Sequence, residues 1–162
     1  MIAHLPRMSA DTMRLNAHLF QHIAPPASAK RRTGKSWRAA WREIDGRRIF
    51  FRSRWEFNYG LYLELLRNNG DVLSWEHEPE TFWFEKIRRG VRSYLPDYRV
   101  TLKSGAVEYH EVKGWMDAKS MTKLKRMEKY HPHITIRIIQ ADWFRSNSKT
   151  LRAMLPQWEH SA

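Results

Sequence analysis

Asp97, Glu111 and Lys113 stand in the stretch YLPDYRVTLKSGAVEYHEVKG, residues 94–114, and their types suit one kind of chemistry. Two carboxylates held side by side repel, and one pKa rises unless something positive sits between them. A hard cation that prefers oxygen ligands, Mg²⁺ or Mn²⁺, meets that need. A lysine beside it is placed to orient a water or to stabilise charge developing on a phosphoryl group. The same residue types are common on exposed strands, so an ordinary solvated hairpin stands as the alternative reading of the spacing.

The elements that must bring them together can be read nearby. YRVTL and AVEYHEVK are rich in β-branched and aromatic residues, and KSG between them is a turn signal, so the stretch predicts a β-hairpin. A three-residue loop of Lys103, Ser104 and Gly105, with the glycine left-handed, sets residue 97 opposite residue 111. Opposed side chains lie on one face about 5 Å apart, and Lys113 joins them by the period of two. Tyr98, Val100, Leu102 and Val112 then form the face that wants burial. A slip of one residue would undo this register.

A fourth acid comes from a helix. SRWE at Ser53 has the capping-box form, and RNNG closes the helix before Gly70. Glu56 shares a face with Tyr59, Gly60, Leu63 and Leu66, so its carboxylate points toward the protein, and Gly60 admits close approach of a sheet. A glutamate at the third position of a capping box needs no catalytic role, and both readings stay open here.

The remaining chain supplies the frame. Residues 9–23 predict a helix with Ser9 as N-cap and Pro25-Pro26 as stop, its apolar face covered by this domain or by a second subunit. The basic stretch that follows reads as a linker in which Lys30, Arg31, Arg32 and Lys35 could grip a DNA backbone. The chain thus divides into residues 1–36 and a folded unit over 37–162. WRAAWREIDGRRIFFRS predicts a hairpin on an Asp45-Gly46 turn. VLSWEHEPETFWFEKI predicts one or two strands interrupted at Glu78-Pro79. DAKSMTKLKRMEKYHP predicts a helix burying Met121, Leu124, Met127 and Tyr130 and turning Lys119, Lys123, Lys125 and Arg126 outward. The isoleucine-dense HITIRIIQ suggests a central strand covered on both faces, and a last helix closes the unit. The class expected is α/β, a mixed central sheet flanked by helices on both sides.

Charge points to a polyanionic partner. The net charge is +12 over 162 residues, and it is uneven. Residues 1–54 hold 12 Lys/Arg against 3 Asp/Glu, residues 55–111 hold 7 against 10, and residues 112–162 hold 10 against 4. An acidic centre between basic flanks suits a metal site approached by nucleic acid. With no cysteine, disulfides and thiolate zinc sites are excluded. No apolar run nears the ~18 residues of a membrane span and no signal-peptide core is visible, so a cytoplasmic protein is expected. Patterns of zinc peptidases, nucleophile elbows, Walker loops and dinucleotide folds are missing.

Taken together, Glu56 on its helix, Pro96-Asp97, Glu111-x-Lys113 and the Lys-rich helix after Gly114 resemble the PD-(D/E)xK nuclease superfamily, from about Phe51 to Ile139. RSRWEFNYGLYLELL, YLPDYRV and HEVKG are most similar to small phage endonucleases of the Holliday-junction resolvase kind, and also to the endonuclease subunit of heteromeric transposases. The resemblance implies a restriction-endonuclease-like core and Mg²⁺-dependent cleavage of DNA, with branched or junction DNA as substrate and a homodimer as the working form. It matches Asp97 and Glu111 to metal ligands, Lys113 to the catalytic lysine, and Glu56 to a further ligand or water-orienting acid. Lys123 or Lys125 falls where relatives hold a phosphate-contacting side chain. Two rivals remain, a transposition-associated nuclease that cuts only beside a partner and a DNA-binding module that no longer cuts.

Overall fold

The computed structural model describes residues 39–159. The helix expected over 9–23 and the linker with Lys30, Arg31, Arg32 and Lys35 lie outside those residues.

The described chain opens with the antiparallel hairpin β1 (Ala40–Ile44) and β2 (Arg47–Phe51). Asp45 and Gly46 both take positive φ, 50° and 71°, which a two-residue turn matched to strand twist requires. Helix α1 (Arg54–Asn68) follows at once, with Ser53 as its N-cap. It ends at Asn69, and Gly70 turns the chain away with φ 76°.

Four strands make the central sheet: β3 (Val72–His77), β6 (Tyr98–Leu102), β7 (Val107–Val112) and β8 (Ile136–Ile139), in that order. Two short strands, β4 (Phe82–Trp83) and β5 (Ser93–Tyr94), pair with each other beside it. The first two contacts of the sheet are antiparallel. β8 runs parallel to β7 because helix α2 (Ala118–Tyr130) carries the chain back between them. Helix α3 (Ala141–Met154) closes the unit.

Strand alternation divides the core between two faces. Tyr98, Val100 and Val112 pack with Tyr59, Leu63 and Leu66 of α1 and with Phe144 and Leu151 of α3. On the other face Tyr109 packs with Phe82, Phe84, Tyr94 and Met127 of α2. The sheet is therefore mixed and carries helices on both sides. Gly60 lets α1 sit close, since a β-carbon there would lie 3.0 Å from Tyr98 Oη and 3.1 Å from Ile44 Cδ1. The segment after α3 is tied back by a two-way amide clasp, Asn58 Nδ2 to Glu159 O at 2.8 Å and Glu159 N to Asn58 Oδ1 at 2.9 Å.

Three expectations are corrected. Among the described residues β8 stands last in the order β3-β6-β7-β8 rather than in its middle, and Ile136 and Ile138 are only half-buried. Five strands rather than three or four separate α1 from α2, because the irregular stretch after Glu78 contributes two short ones. Arg126 does not turn into solvent; its guanidinium donates to the Val91 carbonyl and pins the loop before β5 onto α2.

Candidate functional site

The β6–β7 turn fixes the site. Gly105 N donates to Leu102 O and Leu102 N to Ala106 O, both at 2.8 Å, and Gly105 takes φ 84°. The loop is thus Lys103, Ser104 and Gly105, and the pairing runs Thr101 with Val107 through Tyr98 with His110. Carried one residue further, this register brings Asp97 to Glu111. Asp97 Oδ2 accepts from Val112 N–H at 2.7 Å, so its carboxylate is tethered to β7.

Glu111 is 4 % exposed and engaged at both oxygens. Oε1 lies 3.0 Å from Lys113 Nζ, and Oε2 accepts from the Tyr94 hydroxyl at 2.9 Å. Lys113 is held by its own backbone, whose N–H donates to Ile139 O of β8 at 2.9 Å. Pairing to β8 therefore sets the lysine's height above the sheet.

Glu56 enters from the first turn of α1. Its N–H donates to Ser53 Oγ at 3.1 Å, and the Ser53 hydroxyl returns a bond to Glu56 Oε1 at 3.0 Å. Arg52 N–H donates to Oε2 at 3.0 Å. Both oxygens thus serve the helix start, and Tyr98, next to Asp97, donates from its hydroxyl to Glu56 O at 2.7 Å. The structure brings Asp97, Glu111 and Lys113 into one group; Glu56 borders it with its carboxylate turned back on its own turn.

Electrostatics link all four. Burial, then the charges of Glu111 and Glu56, push the Asp97 carboxyl well above the usual carboxylate range, against the pull of Val112 N–H and Lys113. Burial also raises Glu56, opposed by the bonds from Arg52 and Ser53. For Lys113 burial favours the neutral form, but Glu111, Asp97 and Glu56 outweigh it, and its pKa is raised. The lysine is therefore a held cation. At the rim, Glu78 N donates to Asp97 O at 2.8 Å, and its side chain pairs with Arg52 at 2.8 Å.

Among the described residues, no group of three His, Cys, Asp or Glu side chains is arranged to hold a metal ion. The donor set nevertheless fits Mg²⁺ in the way that ion is usually bound, by one or two carboxylates with substrate phosphate and water completing the octahedron. Asp97 and Glu111 would supply those carboxylates, whose charges repel each other across the strands.

The α2 lysines divide. Lys123 is half-buried, with Nζ 5.8 Å from the centroid of the Tyr94 ring, whereas Lys119 and Lys125 are exposed. An open cleft of about 290 Å³, lined by Ser53, Arg54, Trp55, Val112 and Gly114, lies beside Glu56 and Lys113. Tyr94 is the participant sequence reasoning missed. Its one local signal is an aromatic residue three positions before Asp97, ahead of Pro96.

A second buried network lies on the opposite face of β7. The Tyr59 hydroxyl meets His110 Nδ1 at 2.8 Å, and His110 Nε2 meets Glu108 Oε2 at 3.0 Å, with Arg137 Nε 3.4 Å from the same oxygen. Burial holds His110 below its ordinary pKa. With Glu108 and His110 only 5 % and 4 % exposed, the network is closed to a substrate and serves the packing of α1 on the sheet.

No helix among the described residues is long and apolar enough to cross a membrane. No protein-family model, curated protein or solved structure matches the chain.

Proposed function

We propose that the protein is a metal-dependent DNA endonuclease that hydrolyses phosphodiester bonds. The observation that carries this reading is the array at the end of β6 and β7: a half-buried aspartate tethered to β7, its pKa raised by desolvation and then by the charges of Glu111 and Glu56, with Lys113 Nζ 3.0 Å from Glu111. Perturbed acids grouped with a cation support a reactive site over a solvated hairpin.

When bound, a divalent cation would lower the pKa of a water and offset charge on the phosphate. Asp97 and Glu111 would hold it between the strands. Lys113, kept charged, would orient the attacking water or face the charge that develops on the phosphoryl oxygens, and is not poised to act as a base near neutrality. Glu56 contributes negative charge from the helix start. Basic groups outside the centre supply affinity for the DNA backbone, with Lys123 reaching the wall of the site through Tyr94.

Branched DNA as substrate, a homodimer as the working form and a restriction-endonuclease-like core rest on the sequence resemblance. The test separates binding from cutting. Lys113→Ala is expected to bind a labelled four-way junction within a few-fold of the parent and to lose Mg²⁺-dependent cleavage by at least ~100-fold, as removal of one transition-state donor does. A variant that cuts at the parent rate removes Lys113 from the mechanism. Cleavage of a linear duplex as fast as the junction keeps the nuclease and discards the preference for branches.

A further inference from the structure

Six large hydrophobic side chains among the described residues stand out into solvent, and three of them, Trp41, Phe50 and Trp115, lie on segments that run into the candidate centre. Trp115 is 54 % exposed and stands two residues beyond Lys113. Its neighbours enforce that display. Gly114 lies against Trp55, where a β-carbon would come within 3.2 Å of Cζ3, while Met116 is buried and Asp117 caps α2 through a 2.6 Å bond from Ser120 N–H. The indole therefore projects from a backbone anchored on both sides.

Trp41 and Phe50 form the second display. They oppose each other across β1 and β2, 55 % and 42 % exposed, with ring centroids 5.6 Å apart. Alternation keeps Phe51 and Ile44 inside and turns this pair out. The pair sits at the end of the hairpin that leads through Arg52 into Ser53 and Glu56; the opposite end, at Asp45, is tied by Arg67 to the far end of α1. The Arg48 guanidinium lies over the Trp41 ring at 5.2 Å, with Glu43 opposite Arg48 across the strands.

We propose that these aromatics are stacking platforms for unpaired nucleobases beside the cleaved phosphodiester, so that the favoured substrate is DNA with splayed or single-stranded nucleotides near the cut. The proposal rests on the nuclease reading of the neighbouring centre. Aromatic faces interleaved with cationic groups are what a single strand recognises, because every base offers a π-face and every link a phosphate. Residues 40–54 hold five arginines against Glu43 and Asp45. The centre of a protein–protein seam is depleted of charge, which disfavours a second copy of this chain as the occupant.

The experiment uses the full chain and two probes, a short fluorescein-labelled oligothymidylate and a linear duplex, with binding followed by anisotropy in metal-free buffer. Trp115→Ala and the double variant Trp41→Ala/Phe50→Ala are each expected to weaken oligothymidylate binding by about 5- to 150-fold, the range for one base stack, and to change duplex binding less than twofold. Unchanged oligothymidylate affinity in both variants overturns the proposal. A shift from dimer to monomer in sedimentation with the hairpin variant also overturns it, by assigning that face to a second copy. Mg²⁺-dependent cutting of the duplex, measured separately on the same preparations, reports on the nuclease reading alone.

Discussion

Lys113 Nζ lies 3.0 Å from Glu111 Oε1, and Glu111 Oε2 is taken by the Tyr94 hydroxyl. Asp97 commits Oδ2 to the Val112 N–H. A cation arriving between the two carboxylates would thus compete with Lys113 for Oε1, while Tyr94 keeps the carboxylate in place. Metal affinity, lysine position and the protonation of Asp97 are coupled through this geometry.

The first consequence is a pH dependence with a defined sign. Because the Asp97 carboxyl titrates above the ordinary range, it takes up a proton while most acids are still ionised. Cleavage should therefore fall as pH drops through the Asp97 titration. Metal binds only the ionised form, so raising Mg²⁺ should move this acid limb to lower pH. An acid limb that ignores Mg²⁺ concentration would separate Asp97 from the metal.

The same shift is a statement about stability. A carboxyl whose folded pKa is raised above its unfolded value, about 3.9, contributes stability that is complete below that value and is lost as pH rises through the folded pKa. Asp97→Asn keeps an acceptor for Val112 N–H and removes the buried charge. Its melting temperature should exceed the parent's by a few degrees at neutral pH, where ~1 kcal/mol corresponds to roughly 2–4 °C at this size. The difference should vanish near pH 4, and a variant less stable than the parent at neutral pH would contradict a raised Asp97 pKa.

Tyr94→Phe isolates the support for Glu111. The ring is only 1 % exposed, so phenylalanine fills the same space and the fold should persist. Groups of this kind typically change metal affinity or activity by about 10- to 100-fold. The expected result is a loss in that range, with the Mg²⁺ concentration for half-maximal rate raised and DNA binding unchanged. An equal rate at all Mg²⁺ concentrations would leave Tyr94 a packing residue.

Gly60→Ala tests the seat of α1. Alanine gains helix propensity of ~1 kcal/mol over glycine. Its β-carbon would press on Tyr98 Oη, which is fully buried and bonded to Glu56 O. Overpacking of ~1–3 kcal/mol should win, and the melting temperature should fall. A rise in thermal denaturation would mean that Tyr98 yields freely.

How much of this was legible depended on whether the determinants were local. The Gly105 turn set the register of β6 and β7, and the SRWE box set the start of α1, because each signal lies within a few residues of its effect. Tyr94 was not legible as a partner of Glu111, since it comes from a short strand of a separate pair and reaches across 17 positions of sequence. The isoleucines of β8 suggested a central strand, whereas among the described residues β8 stands last in the order, where the crossover through α2 delivers it beside β7. Glu108 and His110 sit on a buried strand face for a similar reason: their partners Arg137 and Tyr59 come from β8 and α1.

If Asp97, Glu111 and Lys113 act as one metal-dependent hydrolytic site, scission depends on both the metal and the Asp97 carboxylate. The most direct test is a time course of strand scission on an end-labelled four-way junction, with Mg²⁺ or with EDTA, for the parent protein and Asp97→Asn. The expected result is Mg²⁺-dependent cutting by the parent, none with EDTA, and a loss of at least ~100-fold in Asp97→Asn. Scission by Asp97→Asn at the parent rate, or by the parent in EDTA, would contradict it.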